Sequence, residues 1–216
     1  MTRAASDVSD ASDATQPEDI EWKPFDGNMV MSTRPDGVVA FERTILKEHD
    51  VALGQAFTTG VHEWIVTAPN WHPNNYVGVA SRYVDKRIYP AGSFAYAMYL
   101  HDGTLCSGAA SHPAQGGQAF GVGSQKAVKS KHWPKDLLIS TGTPICVILD
   151  MDQRTLSFAI GDAQPQVAFT GLPAGMHPYV CSGEKAERSQ LVVSGPPAAD
   201  IPTGINPTPA KQGRWW

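Results

Sequence analysis

Paired cysteines, long apolar runs and an excess of one charge on the folded part are all missing from this chain of 216 residues. Each absence removes a class of explanation. The three cysteines, Cys106, Cys146 and Cys181, are odd in number and widely spaced. Disulfide frameworks use even counts, and zinc sites use close ligand pairs such as CxxC. No metal and no cofactor is therefore expected. Cys146 sits in the apolar run ICVIL and reads as a buried free thiol, which points to a reducing, cytoplasmic or nuclear setting. No stretch approaches the ~20 apolar residues of a membrane-spanning helix. The first twenty residues contain no apolar secretory core, and Thr2 does not suit myristoylation.

Charge is displaced to one end. Residues 1–21 hold six acids (Asp7, Asp10, Asp13, Glu18, Asp19, Glu21) and one base, Arg3. Taking these from totals of 21 and 17 leaves 15 acids against 16 bases. Nucleic-acid binding calls for a basic excess on the folded part, and there is none. Residues 1–21, rich in Ser, Asp and Ala, bury too little surface to offset their ordering entropy and are expected to be a disordered acidic tail. Thr15 and Glu18 have capping-box spacing, but no amphipathic run follows. Ser6, Ser9 and Ser12 each directly precede an Asp, as acidic phosphorylation sites do, but read first as part of a solubilising segment. From 196 onward Pro196, Pro197, Pro202, Pro207 and Pro209 favour extended chain, ending at Trp215–Trp216. Asn206-Pro207-Thr208 fails as a glycosylation acceptor because its middle residue is proline. The expected organisation is thus a tail over 1–21, one domain over 22–195 and a Pro-rich tail over 196–216.

Within that domain, apolar residues recur with period two. His62, Trp64 and Val66 oppose Val61, Glu63 and Ile65; Tyr96, Met98 and Leu100 oppose Ala95, Ala97 and Tyr99. Ile145–Leu149 is apolar on both parities, as for a strand covered on two faces. Leu156, Phe158 and Ile160 follow, then Val167 and Phe169, then Leu191 and Val193. Asp36-Gly37, Asp102-Gly103 and Gly161-Asp162 tolerate positive φ in tight hairpins, and Asp150–Arg154 is a polar break of the same kind. Gly 20 and Pro 17 leave little room for helix; the best helical candidate is Ser124–Trp133. The pattern predicts an all-β fold, a sandwich or barrel of short antiparallel strands.

Several segments together resemble the SPRY family. Gly60–Val66 (GVHEWIV) is similar to its G-x-H-x-W-x-V strand, and Tyr76–Ala80 (YVGVA) to the strand that follows. Tyr96–Gly108 resembles its strand–DG–strand hairpin, and Cys146–Phe158 (CVILDMDQRTLSF) its V-x-L-D-(M/L)-D-x-x-x-L-S-F segment. Phe169–Pro173 and His177–Val180 match its F-x-G-L-P and Y-P-x-V pair. These fall in the family's order over roughly residues 38–195, and a looser match at Asn28–Phe41 is similar to the short strand pair that often precedes it. The resemblance implies a bent antiparallel β-sandwich of concanavalin-like jelly-roll type, flanked here by disordered tails. It also implies protein binding without catalysis, through loops at one end. Zinc-binding RING patterns, heptads and a SOCS-box-like run are absent, so the resemblance gives no ligase activity. Residues 112–135, rich in Gly and Lys, are longer and more polar than a minimal loop of the family.

Chemical readings compete with plainer ones. His62 and Glu63, adjacent in a strand, point to opposite faces and cannot cooperate directly. Asp150 and Asp152 share parity, but at a hairpin their natural partners are backbone amides. Gly121–Lys126 lacks phosphate-loop spacing, and no GxSxG elbow occurs. Lys126, Lys129, Lys131 and Lys135 read first as a solvated loop. No catalytic residue is expected.

On the positions of the family's variable loops, the candidate partner-binding residues are Lys47, Glu48, His49, Tyr83, Tyr89, Ser182, Gly183 and Glu184. The expected partner is a peptide or loop of another protein, bound by a monomer in the cytoplasm or nucleus, with no nucleic acid and no membrane. Tyr side chains suit such a surface because they give large contact area at small entropy cost. The alternative is a carbohydrate-binding, lectin-like sandwich using Trp71, His72, Asn74 and Asn75 (WHPNN). A third reading is a structural subunit held by its tails.

Overall fold

The computed structural model describes residues 20–24, 29–43, 50–70, 75–85, 93–107, 128–134, 137, 139–182 and 190–195. Among them the regular elements are all strands. In chain order these are β1 (Lys23–Pro24), β2 (Met29–Thr33), β3 (Val39–Arg43), β4 (Asp50–Leu53), β5 (Val61–Asn70), β6 (Asn75–Asp85) and β7 (Ser93–Tyr99). Then come β8 (Leu105–Ser107), β9 (Val128–Lys129), β10 (Ile145–Asp150), β11 (Thr155–Ile160), β12 (Gln166–Thr170), β13 (His177–Ser182) and β14 (Gln190–Ser194). They form two antiparallel sheets, one ordered β1-β4-β13-β6-β7-β8 and the other β2-β3-β14-β5-β10-β11-β12-β9. The chain is an all-β sandwich.

Period-two sequence becomes two-faced strands. Trp64 and Val66 of β5, Ile145, Val147 and Leu149 of β10 and Leu156 and Phe158 of β11 are buried in the core. Val77 and Val79 of β6, Tyr96 and Met98 of β7 and Val180 of β13 meet them from the six-stranded sheet. Truncating any of the large aromatics here costs about 3–5 kcal/mol. The other face of the six-stranded sheet carries a second cluster: Val51, Tyr76, Ala80, Ala95, Ala97, Cys106, Tyr179 and Cys181. Gly78 is required between Tyr179 and Ala97, its register partners, since a Cβ there would collide with the Tyr96 carbonyl.

The turn chemistry lies where the sequence puts it. Gly37 (φ 79°) closes β2–β3, Gly103 (φ 73°) β7–β8 and Gly161 (φ 59°) β11–β12. Three expectations change. Within Ser124–Trp133, Val128–Lys129 is strand rather than helix, paired to Phe169 and Thr170, and Trp133 is held by its indole N–H donating to the Gly103 carbonyl at 2.8 Å. Cross-strand pairing and one aromatic anchor outweigh the absence of helix breakers. Second, β10 is covered fully on one face only: Cys146 and Ile148 are half-buried. The sheet with both faces covered is the other one. Third, the packed structure begins before residue 22, because Ile20 packs against the core and the Glu21 amide donates to Gln55 Oε1. The remainder of 1–21, and 196–216, lie outside the described residues.

Candidate interaction site

The two ends of the sandwich differ in how their polar groups are used. At one end, marked by Gly60, polar side chains are committed to the backbone. Asp152 Oδ1 accepts from the Gly60 amide at 2.8 Å, and the Met151 amide donates to the Gly60 carbonyl. Asp150 Oδ1 accepts from the Gln153 amide at 2.7 Å, closing the β10–β11 hairpin. The carboxylate pair is therefore turn structure, as its hairpin setting implied. His62 stacks on Phe57 with ring centroids 3.6 Å apart, and its Nε2 lies 2.7 Å from the Thr59 carbonyl. Glu63 points to the opposite face, where Cys146 Sγ donates to its Oε1 at 2.9 Å. Parity has separated His62 from Glu63 as expected.

The other end, marked by Asp50, is built differently. Four segments join one sheet to the other there: 25–28 joins β1 to β2, 44–49 joins β3 to β4, 71–74 joins β5 to β6, and 183–189 joins β13 to β14. The described residues of β4, β13 and β6 next to the last three stand in one register row. Ser182 is the partner of Asp50 on one side and of Asn75 on the other. All three share the parity of Ala52, Val77 and Val180, which face the core. Exposure is 0% for Asp50, 0% for Asn75 and 3% for Ser182, and they are the only buried polar residues among those described. The Leu100 amide, in the β7–β8 turn, donates to the Asn75 carbonyl at 2.9 Å. In that turn Asp102 accepts from the Thr104 amide at 2.9 Å. Partial burial pushes the Asp102 carboxyl up, but the Thr104 hydrogen bonds and neighbouring His101 hold it below the ordinary value.

The sequence-proposed residues divide between these ends. Lys47, Glu48 and His49, and Gly183 and Glu184, lie outside the described residues, in segments that leave from the Asp50 end. Tyr83 is in β6, toward its Asp85 terminus, and Tyr89 lies outside the described residues in the segment joining Asp85 to Ser93. Of the described two, Tyr83 lies in the half of β6 away from Asn75, and Ser182 ends β13 beside Asp50. Ser182 is corrected from loop to strand: it ends β13 and its side chain is enclosed. The WHPNN segment is corrected at Asn75, which is buried and cannot face a sugar; Trp71, His72 and Asn74 lie outside the described residues. What sequence reasoning missed is the row itself. Asp50 directly before the apolar Val51–Ala52–Leu53 was the signal for a strand entering the core.

No thiol is set up as a nucleophile. Cys106, Cys146 and Cys181 are free. Burial pushes the Cys106 thiol up to about 11, and burial plus the Glu63 carboxylate raises Cys146 further. Burial, then the nearby Cys181, raises the Tyr179 phenol. Among the described residues no three His, Cys, Asp or Glu side chains are grouped to hold a metal ion. No described helix is long and apolar enough to cross a membrane.

Comparison of the sequence with protein-family models gives no match, and comparison with curated proteins gives none either. Comparison of the structure is decisive for the fold. The SPRY domain of human HERC1 is similar at TM-score 0.53 and 16% identity, over 83% of this chain and 96% of that domain. The PSpry domain of TRIM65 is similar at TM-score 0.52 and 16% identity, over 82% and 92%. The chain has the SPRY fold. Within it, the GVHEWIV and CVILDMDQRTLSF segments are neighbouring strands β5 and β10–β11 of the eight-stranded sheet. His62, Asp150 and Asp152 of these segments hydrogen-bond to backbone groups at the Gly60 end.

Proposed function

We propose that this chain is a non-catalytic protein-interaction module that binds a short peptide or loop of a partner through the Asp50 end of the sandwich. The observation that carries this reading is the buried row Asp50–Ser182–Asn75, the strand ends from which three of the four inter-sheet connections of this end lead. Variable residues on connections held by a rigid sandwich are the usual place for recognition. At the Gly60 end the hydrogen bonds of Asp150, Asp152 and His62 are spent on the backbone, which suits a structural base. Lys47, Glu48, His49, Gly183 and Glu184 are the proposed contact residues of this surface. Tyr83 and Tyr89 are a separate candidate patch, and Ser182, being enclosed, is left out of the contact set. The fold's interaction role supports the absence of catalysis, with thiols held protonated and carboxylates engaged in turns as further support. A cytoplasmic or nuclear monomer is the proposed setting, with reduced cysteines as its support.

The test is proximity labelling with wild type, with Lys47→Ala/Glu48→Ala/His49→Ala and with Tyr83→Ala/Tyr89→Ala. Loss of a common set of neighbours in the first variant alone is the expected result. An identical set with all three chains would count against the Asp50 end. Binding on a glycan array by wild type would instead favour the lectin-like alternative.

A further inference from the structure

Among the described strands the two sheets have four edges: β1 and β8 in the six-stranded sheet, β2 and β9 in the eight-stranded one. An edge strand leaves every second N–H and C=O without a strand partner, and proteins ordinarily blunt it by shortness, proline or lysine. Three of the four edges are blunted in this way. β1 is two residues and contains Pro24, β9 is two residues and contains the exposed Lys129, and β8 is three residues. β2 differs: Met29–Thr33 is five residues long, with no proline and no charged side chain.

The register of β2 on β3 shows which backbone groups face outward. The Arg34 amide donates to the Val38 carbonyl at 2.8 Å, so that row is hydrogen-bonded. Bonded and non-bonded rows alternate in an antiparallel pair. The next bonded rows are therefore Ser32–Ala40 and Val30–Glu42, and the N–H and C=O of Met31 and Thr33 point away from β3. Met29, 4% exposed, closes the row at one end, whereas Val30 is 51% exposed and Ser32, Thr33 and Arg34 are exposed too. No other described strand pairs with this edge.

The side chains beside the row define what fits it. Met29 and Met31 pack toward the core, so Val30, Ser32 and Arg34, of the other parity, stand on the outer face. In an antiparallel incoming strand, alternate residues fall opposite Arg34, Ser32 and Val30 in that order. Cross-strand pairing favours an acid opposite Arg34, a hydroxyl opposite Ser32 and a β-branched side chain opposite Val30. The residues between them exchange hydrogen bonds with Thr33 and Met31, so neither can be proline.

We propose that the open edge of β2 is a strand-addition site. It takes an extended segment of a partner protein, of the pattern acidic–x–Ser/Thr–x–Val/Ile with x not proline, as a ninth strand of the eight-stranded sheet. This surface uses none of the contact residues of the Asp50 end and does not rest on the function proposed there.

The experiment selects a displayed library of random peptides on the full chain and titrates a selected peptide against wild type and Met31→Pro. Proline at 31 deletes one outward N–H and no bond to β3, which an edge strand accommodates. The selected peptides should carry the pattern, and Met31→Pro should weaken binding roughly tenfold, the effect of one lost backbone hydrogen bond. In amide hydrogen exchange, Met31 and Thr33 should be fast in the free chain and slow at least ~10-fold with peptide, while Val30 and Ser32 are slow in both. Should Met31→Pro not fold, Val30→Lys, which copies the guard at Lys129 and spares every backbone bond, is read by the same criteria. No enrichment, or a bound peptide that leaves exchange at Met31 and Thr33 unchanged, overturns the proposal. So does protection of these amides in the free chain: if independent of protein concentration, a segment of the chain itself covers the edge, and if it grows with concentration, a second copy does. Lys47→Ala/Glu48→Ala/His49→Ala should bind the peptide as wild type does; loss there would place the peptide at the Asp50 end and overturn the edge site. Failure of the edge site leaves the labelling test of the Asp50 end untouched.

Discussion

Asp152 and Gly60, 92 residues apart, are joined by a 2.8 Å hydrogen bond from the Gly60 amide to the Asp152 carboxylate. This one contact links two of the chain's most distinctive segments, GVHEWIV and CVILDMDQRTLSF, and gives the second aspartate of the hairpin a purely structural task. Asp152→Ala is expected to lower unfolding free energy by about 1–2 kcal/mol, the value of a charge-assisted bond to a backbone donor. Asp152→Asn, which retains an acceptor oxygen, should lose less. Urea unfolding of the two variants checks the order; equal losses would show that the oxygen is not what matters.

Trp64 is fully buried, yet its indole Nε1 has no acceptor. Trp64→Phe leaves a cavity but also removes a buried, unpaired N–H whose burial costs about 1–3 kcal/mol. The net loss should therefore fall below the ~3–5 kcal/mol of large core truncations. A loss above that range in thermal or urea unfolding would mean that the N–H is satisfied in solution.

Ser182→Ala is expected to be neutral or slightly stabilising, because Ser182 Oγ is enclosed without a partner. Removing such a group relieves its desolvation cost. A drop in melting temperature of several degrees would contradict this, since ~1 kcal/mol corresponds to a few degrees in a domain of this size.

Alkaline pH should weaken the fold through Cys106. Its folded thiol is raised to about 11, so the unfolded chain releases this proton first. The contribution to stability is whole below the ordinary thiol value near ~8.5 and is lost as pH rises from there through about 11. Cys106→Ser, lacking an ionisable thiol, should flatten stability against pH in that window. In the native protein at neutral pH, Cys106 and Cys146 should react with a thiol reagent far more slowly than after addition of denaturant.

The sandwich was legible in sequence because its strands are two-faced or doubly buried and its hairpins use Gly at positive φ. Trp64, Val66, Leu156 and Phe158 fall into place from alternation, and Gly37, Gly103 and Gly161 mark hairpin turns. Short or edge strands gave no periodicity. β1 and β9 have two residues each, and their pairing is decided by neighbours far away in the chain. The site was less legible for the same reason. Asp50, Asn75 and Ser182 are meaningless apart; only the β4–β13–β6 register makes them a row. Local sequence also could not show that Tyr83 lies toward the opposite end of β6 from Asn75.

The central claim is that recognition occurs at the Asp50 end. Its most direct test is calorimetric titration of the purified chain with a peptide from a partner recovered by proximity labelling. Lys47→Ala/Glu48→Ala/His49→Ala should weaken binding at least ~10-fold, about 1.4 kcal/mol, with melting temperature unchanged, while Tyr83→Ala/Tyr89→Ala binds as wild type does. The reverse pattern, with affinity lost only in the tyrosine variant, would place the partner at the other end and contradict the account.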